Sequence, residues 1–310
     1  MRSLLLLFAF ALPQIHRVST EPILKPQGEG FESTGVFNPA VIMRNDGRIM
    51  MLYRAQDKNG TSRLGYAESA DGVHFDRRSD PVLSPQAEYE KDGGVEDPRL
   101  VSIDGKFWLT YTGYNKKDAQ LCIASSTDLI HWDRKGVILP AYKGLWNINW
   151  TKSGAILDRK VNGKYWMYFM ADAKDRPNQM GVASSYDLVH WTEALDKPIA
   201  PTRPGMFDSK VSEPGPPPVL TNAGILLIYN GADDNLVYRT GWLLFDKTDP
   251  TKLLARSDQP LLQPELPWEK TGQVPNVVFV EGLVQQAERW LLYYGGADKY
   301  VGVATMSPPR

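Results

Sequence analysis

The chain has 310 residues, with 35 basic and 36 acidic side chains and a net charge of -1. That balance gives no electrostatic footprint for nucleic acid or for an anionic membrane surface and points to a neutral partner. A single cysteine, Cys122 in the apolar run Leu121-Cys122-Ile123-Ala124, rules out an intrachain disulfide and reads as a small core residue.

In chain order, Met1-Arg2-Ser3 is followed by an apolar run from Leu4 to Leu12. A charged start before an apolar stretch too short to span a bilayer reads as a secretory signal. The expectation is a leader over residues 1–20, an exported protein (periplasmic or extracellular), and one domain over 21–310. Three stretches then share one frame: Ser69-Ala-Asp71-Gly-Val-His74-Phe75, Ser126-Thr-Asp128-Leu-Ile-His131-Trp132 and Ser185-Tyr-Asp187-Leu-Val-His190-Trp191. Aromatic strands around Tyr53, Tyr111, Tyr168, Tyr229 and Tyr293 recur at spacings of 58, 57, 61 and 64 residues. Asn45-Asp46-Gly47, Asp104-Gly105 and Asn162-Gly163 supply hairpin turns, because these residues tolerate positive φ. A fixed period of strand-only units predicts an all-β fold, a five-bladed β-propeller with roughly four strands per blade.

In such a fold the strand that opens each unit lines the central channel. The openings read Phe37-Asn38-Pro39-Ala40, Val95-Glu96-Asp97-Pro98-Arg99, Thr151-Lys152-Ser153-Gly154, Ser212-Glu213-Pro214-Gly215 and Val280-Glu281-Gly282. Apolar packing does not require that much charge. Asp97, Glu213 and Glu281 are acids from three units, and glycoside hydrolysis needs one carboxylic acid for the leaving oxygen and one carboxylate to activate water. Arg99, Lys152 and Lys210 are cations that would keep a carboxylate ionised, whereas Trp146 and Trp150 are apolar walls that would raise its pKa. The three repeated histidines occupy equivalent places, which favours a structural job. No His, Cys and carboxylate cluster has zinc-like spacing, and no phosphate-binding Gly-rich loop is present, so neither metal nor cofactor is expected.

At these residues the sequence resembles glycoside hydrolase family 130, the five-bladed propellers comprising mannoside phosphorylases and β-mannosidases. The likeness rests on Asn38-Pro39-Ala40, Leu52-Tyr53-Arg54-Ala55, Glu96-Asp97-Pro98-Arg99-Leu100, Tyr111-Thr112-Gly113-Tyr114, Phe207-Asp208-Ser209-Lys210, Gly215-Pro216-Pro217-Pro218, Tyr229-Asn230-Gly231 and Tyr294-Gly295-Gly296-Ala297-Asp298. The resemblance implies that Asp97 is the acid, in the phosphorylases relaying its proton through a sugar hydroxyl. It implies that Asn38, Arg54, Arg99, Lys152, Lys210 and Asp298 hold the mannosyl unit, with Tyr111, Asp208 and Tyr229 counted among the substrate-binding residues.

The chain departs from the phosphorylase pattern in two places. Tyr168-Phe169-Met170 stands where the phosphorylases carry a His-Arg pair, and Glu213 stands where they carry a small residue. A carboxylate there would repel phosphate. The expectation is therefore an exported inverting β-mannosidase acting on β-1,2- or β-1,4-linked manno-oligosaccharides, with Asp97 as acid and Glu213 or Glu281 as base. The alternatives are a β-mannoside phosphorylase releasing mannose 1-phosphate, and a non-catalytic sugar-binding propeller. Another propeller glycosidase is disfavoured by Asn38, where those enzymes usually place an aspartate.

Overall fold

The computed structural model describes residues 14–174 and 176–309. The apolar run Leu4 to Leu12 lies outside the described residues. The fold is all-β, built from antiparallel units of four strands. Unit one comprises Gly35–Met43, Ile49–Gln56, Ser62–Ser69 and Asp76–Arg77. Unit two comprises Gly94–Ile103, Lys106–Tyr114, Ala119–Ser126 and Asp133–Leu139. Unit three comprises Asn147–Ile156, Tyr165–Ala173, Gln179–Ser185 and Thr192–Glu193. Unit four comprises Val211–Pro214, Ile225–Ala232, Tyr238–Phe245 and Leu253–Arg256, with Val219–Leu220 paired beside its second strand. Unit five comprises Val278–Gln285, Trp290–Gly296 and Tyr300–Met306, and its fourth strand is His16–Arg17 from the other end of the chain.

That last pairing draws residues 16–18, within the expected leader of residues 1–20, into the sheet of unit five. His16 and Arg17 face Thr305 and Ala304, Val18 donates its amide to Val303 O, and Arg17 forms ion pairs with Glu265 and Glu269. Residues 16–18 are thus part of the folded protein, and a leader ending at residue 20 would remove a strand.

Second strands such as Ile225–Ala232 are buried at every position because a neighbouring unit covers each face, which is why they are apolar runs and not alternating ones. The core is correspondingly divided by junction. One large cluster joins units one and two, a second two and three, a third three and four, a fourth four and five, and a fifth joins five back to one. At the third junction Tyr168 stacks on Phe245 at 4.4 Å.

Strand register sharpens the repeat. Tyr53 pairs with Gly65, Tyr229 with Gly241 and Tyr294 with Gly302, each tyrosine ring lying where a Cβ on that glycine would be, at 2.3 Å in the first case. The matching residue of unit three is Phe169, paired with Gly181. The equivalent series is therefore Tyr53, Tyr111, Phe169, Tyr229 and Tyr294, so the sequence spacing was one residue off at Tyr168 and Tyr293.

Four of these rings end in one arrangement of tyrosine, carboxylate and arginine. Tyr53 donates to Glu32 at 2.8 Å with Arg77 on the same carboxylate, and Tyr111 donates to Glu90 at 2.9 Å with Arg134. Tyr229 donates to Asp208 with Arg256, and Tyr294 to Glu269 with Arg17. Two of the carboxylates also accept backbone amides, Glu90 from Gln86 and Ala87 and Glu269 from Glu265 and Leu266. A buried charge is tolerable when it is paired and hydrogen-bonded in this way. The repeated Ser-x-Asp-x-x-His frame is likewise structural: Ser69 Oγ accepts the Gly72 amide, Asp71 accepts the amides of Val73 and His74, and His74 Nδ1 meets Asp71 at 2.7 Å. The frames at His131 and His190 repeat these bonds.

Glu269→Ala leaves Arg17 and Tyr294 without their acceptor, and the expected loss is about 3–5 kcal/mol of stability. Chemical denaturation measures it, and an unchanged midpoint would contradict the role given to the triad.

Candidate active site

The opening strands leave their ladders at one level. Register breaks fall between Phe37 and Pro39, Glu96 and Arg99, Lys152 and Ala155, and Val280 and Gly282. The residues extruded by the first three breaks, Asn38, Asp97 and Ser153, have φ of 49°, 50° and 61°. Short polar side chains tolerate this left-handed backbone best, at a cost of roughly 1–3 kcal/mol each. The bulges turn these side chains out of the sheets toward a shared pit. By register Glu96, Lys152 and Glu213 are equivalent, opposite Thr112, Met170 and Asn230. Glu281 emerges one pair further along its strand, between partners Tyr294 and Tyr293, and so lies deeper.

Asp97 is the hub. Its Oδ1 accepts from Asn38 Nδ2 at 2.7 Å and from Arg54 NH1 at 2.9 Å. Arg54 also donates to Glu96 at 2.6 Å and to Ser62 Oγ at 3.0 Å, with its guanidinium over the Phe37 ring. Arg99 is fully buried and donates to Gly215 O at 3.0 Å, Pro214 O at 2.8 Å and Asp97 O at 3.1 Å, with Glu281 at 3.4 Å. Gly215 lets the opening strand of unit five come close, since a Cβ there would lie 2.6 Å from Val280 O. Further along the opening strands the axis widens into a cavity of about 210 Å³ bordered by Val41, Leu100, Pro217 and Leu283. Glu213 accepts from Ser153 Oγ. Asp298 occupies a left-handed turn, φ 50°, between the second and third strands of unit five.

Charge states follow from these neighbours. Burial would raise the Asp97 carboxyl, but Arg54, Lys152 and the Asn38 amide outweigh it and hold it down to about 2. Burial pushes Glu281 well above the carboxylate range, with Asp97 and Glu213 adding to the effect and Arg99 opposing it. Among the described residues neither Glu281 oxygen has a hydrogen-bond partner, and its exposure is 0%. Burial also raises Glu96, and raises Asp298 to about 6 against the pull of Arg54. Burial would lower the Lys152 ammonium, but Glu213 and Asp97 raise it. Burial and then Glu213 push Tyr238, whose ring packs 6.2 Å from Phe279, up to about 12.

The structure thus brings together Asn38, Arg54, Asp97, Arg99, Lys152, Glu213, Glu281 and Asp298. It places the remaining candidates elsewhere. Tyr111, Asp208 and Tyr229, expected among the substrate-binding residues, are buried in the triads between strands. Lys210 is exposed, with its backbone amide bonded to Ala232 O. Trp146 is also removed as a wall of the site, since it packs on Phe169 at 6.0 Å inside unit three. The sequence reading missed Glu96, Ser62, Ser153 and Tyr238 as site members. Glu96 and Ser153 stood in the quoted openings, whereas Tyr238 begins a third strand and nothing local marks it.

Two opposite pH effects on stability follow. Asp298 binds its proton more tightly folded than unfolded, so stability falls as pH rises from about 4 to about 6 and is level above that window. Asp97 does the reverse, and its contribution is lost as pH falls from near 3.8 toward about 2. In thermal melts, Asp298→Asn is expected to gain stability over the parent at pH 7 and little at pH 4. An equal gain at both would sink the assignment.

Comparison with known proteins gives a consistent picture. A model of glycoside hydrolase family 130, described as beta-1,4-mannooligosaccharide phosphorylase, matches residues 14–308. The chain is 41% identical to a 1,2-beta-oligomannan phosphorylase of Thermoanaerobacter sp. (strain X514), over 94% of this chain and 97% of that protein. A solved glycosyl hydrolase from Bacteroides ovatus is 37% identical with a TM-score of 0.87, covering 97% of this chain and 95% of that one. Another structure, from work on family members that are glycoside hydrolases targeting beta-1,2 mannosidic linkages in Candida mannan, is 35% identical, also with a TM-score of 0.87, over 97% and 96% of the two chains. With its carboxylate-rich pit and these relatives, the chain belongs to glycoside hydrolase family 130, the β-mannoside-active phosphorylases and hydrolases.

Proposed function

We propose that the chain is an exported inverting β-mannosidase, a five-bladed propeller that cleaves β-1,2- or β-1,4-linked manno-oligosaccharides with water. The four-stranded units and the five junction clusters support the propeller reading. The observation that carries hydrolysis is the charge balance of the pit. Five acidic side chains, Glu96, Asp97, Glu213, Glu281 and Asp298, meet three cations, Arg54, Arg99 and Lys152, and with Glu281 neutral the remaining four acids still outnumber the three cations. Two like unit charges 4 Å apart repel by about 4 kcal/mol at an effective dielectric of about 20. A phosphate dianion would meet that repulsion; water would not.

In this reading Glu213 is the base, oriented by Ser153 and next to the Lys152 charge. Glu281 retains its proton in a sealed position and is the weaker choice. Asp97 is ionised in the unliganded protein, so to serve as acid it takes up a proton as sugar hydroxyls replace part of its contact with Arg54 and Lys152. Inverting hydrolysis requires this division into one acid and one base on opposite sides of the ring.

The 41% identity to a phosphorylase favours the second reading, release of mannose 1-phosphate. Mannobioses incubated with and without phosphate separate the two: free mannose at a rate independent of phosphate is expected, and phosphate-dependent mannose 1-phosphate would overturn hydrolysis. Asp97→Asn is expected to lower turnover by roughly 10² to 10⁴. Unchanged turnover would remove it from the chemistry.

A further inference from the structure

Unit three differs from the others in a coordinated way. Phe169 replaces the triad tyrosine, and Glu193 takes the outer-strand position that is Arg77, Arg134 or Arg256 elsewhere, opposite Ala183 where those face Ala67, Ala124 and Leu243. Glu193 no longer holds a tyrosine and carboxylate together. It accepts the Leu145 amide at 2.7 Å and the Asn147 side-chain amide, and so pins the segment that enters the opening strand.

That strand is irregular just outside the pit. From Asn147 to Thr151 it advances four residues while its partner moves two, from Ala173 to Ala171. Ile148 and Trp150 are pushed off the ladder; Ile148 is 51% exposed and Leu145 69%. Thr151 faces unit two, donating to Leu139 O and accepting the Leu121 amide. Trp150 lies two residues before Lys152 in the same opening strand, on the unpaired stretch between Asn147 and Thr151. The indoles of Trp166, Trp191 and Trp268 donate to backbone carbonyls, whereas Trp150, half-buried, has no hydrogen bond or ring partner among the described residues.

We propose that Trp150, with Ile148 beside it, is the platform for the second sugar ring, the one on the leaving-group side, and that Glu193 is its positioning residue. This rests on the β-mannoside reading above. The pit is crowded with charge and suited to the hydroxyls of one ring, while the stretch before Lys152 carries the uncharged side chains of Ile148, Asn149 and Trp150, with Asn149 bonded to Asp172 at 3.1 Å. A neutral pyranose with an apolar C–H face fits an aromatic face that keeps a free N–H donor.

The experiment compares binding of mannose with that of β-1,2- and β-1,4-mannobiose to the parent, Trp150→Ala, Trp150→Phe and Glu193→Ala. Trp150→Ala is expected to weaken the preferred mannobiose roughly tenfold, about 1.4 kcal/mol, and to leave mannose unchanged. Trp150→Phe should restore part of the loss, and Glu193→Ala should reproduce it without altering mannose binding. Equal weakening of mannose and mannobiose, or no change in either, overturns the platform while the mannoside reading stands. A parent that neither binds nor cleaves any mannobiose overturns that reading and the platform with it.

Discussion

The guanidinium of Arg99 is the contact on which the rest of the site depends. Along most of their length the opening strands pair only with the second strand of their own unit, so carbonyls turned toward the centre have no ladder partner, and a buried carbonyl left unpaired is costly. Arg99 answers this with a planar fork of donors, taking Pro214 O and Gly215 O of unit four together with Asp97 O of its own strand. Its charge also offsets burial at Glu281 and adds to the field that keeps Asp97 ionised. One side chain thereby joins two units and helps set the charge of two carboxyls from two strands. Lysine, with a compact ammonium and no fork, would not reproduce this geometry.

A similar economy runs through the periphery. Tyrosine, carboxylate and arginine recur in four units, each joining a second strand, an outer strand and the segment that leads into the opening strand. These triads fix the sheets, so the bulged residues at the centre are free to be polar and strained. Strain at Asn38, Asp97 and Ser153 persists because the surrounding sheets over-determine the backbone. Unit three is the exception, and its departures sit beside the mouth of the pit.

Much of this was legible in the sequence. The tyrosine period and the Asn-Gly and Asp-Gly turns announce the strand units, and Glu-Asp-Pro-Arg marks an opening strand because acids and arginine have no place in an ordinary inner strand. What sequence could not supply was register. One residue of slip separates Tyr168 from Phe169 and Tyr293 from Tyr294, and only the Gly181 and Gly302 pairings reveal it. Motif membership also cannot say which way a side chain faces. Tyr111, Asp208 and Tyr229 lie in the same short motifs as the site residues yet point into the triads. Tyr238 was invisible because its place beside Glu213 is created by two strands of unit four meeting unit three.

The borrowed outer strand of unit five bears on how the chain reaches its final form. Synthesis delivers His16 and Arg17 well before Thr305 and Ala304, against which they lie. The pairing cannot form until both segments have been made, so strands remote in sequence act together as the clasp of unit five.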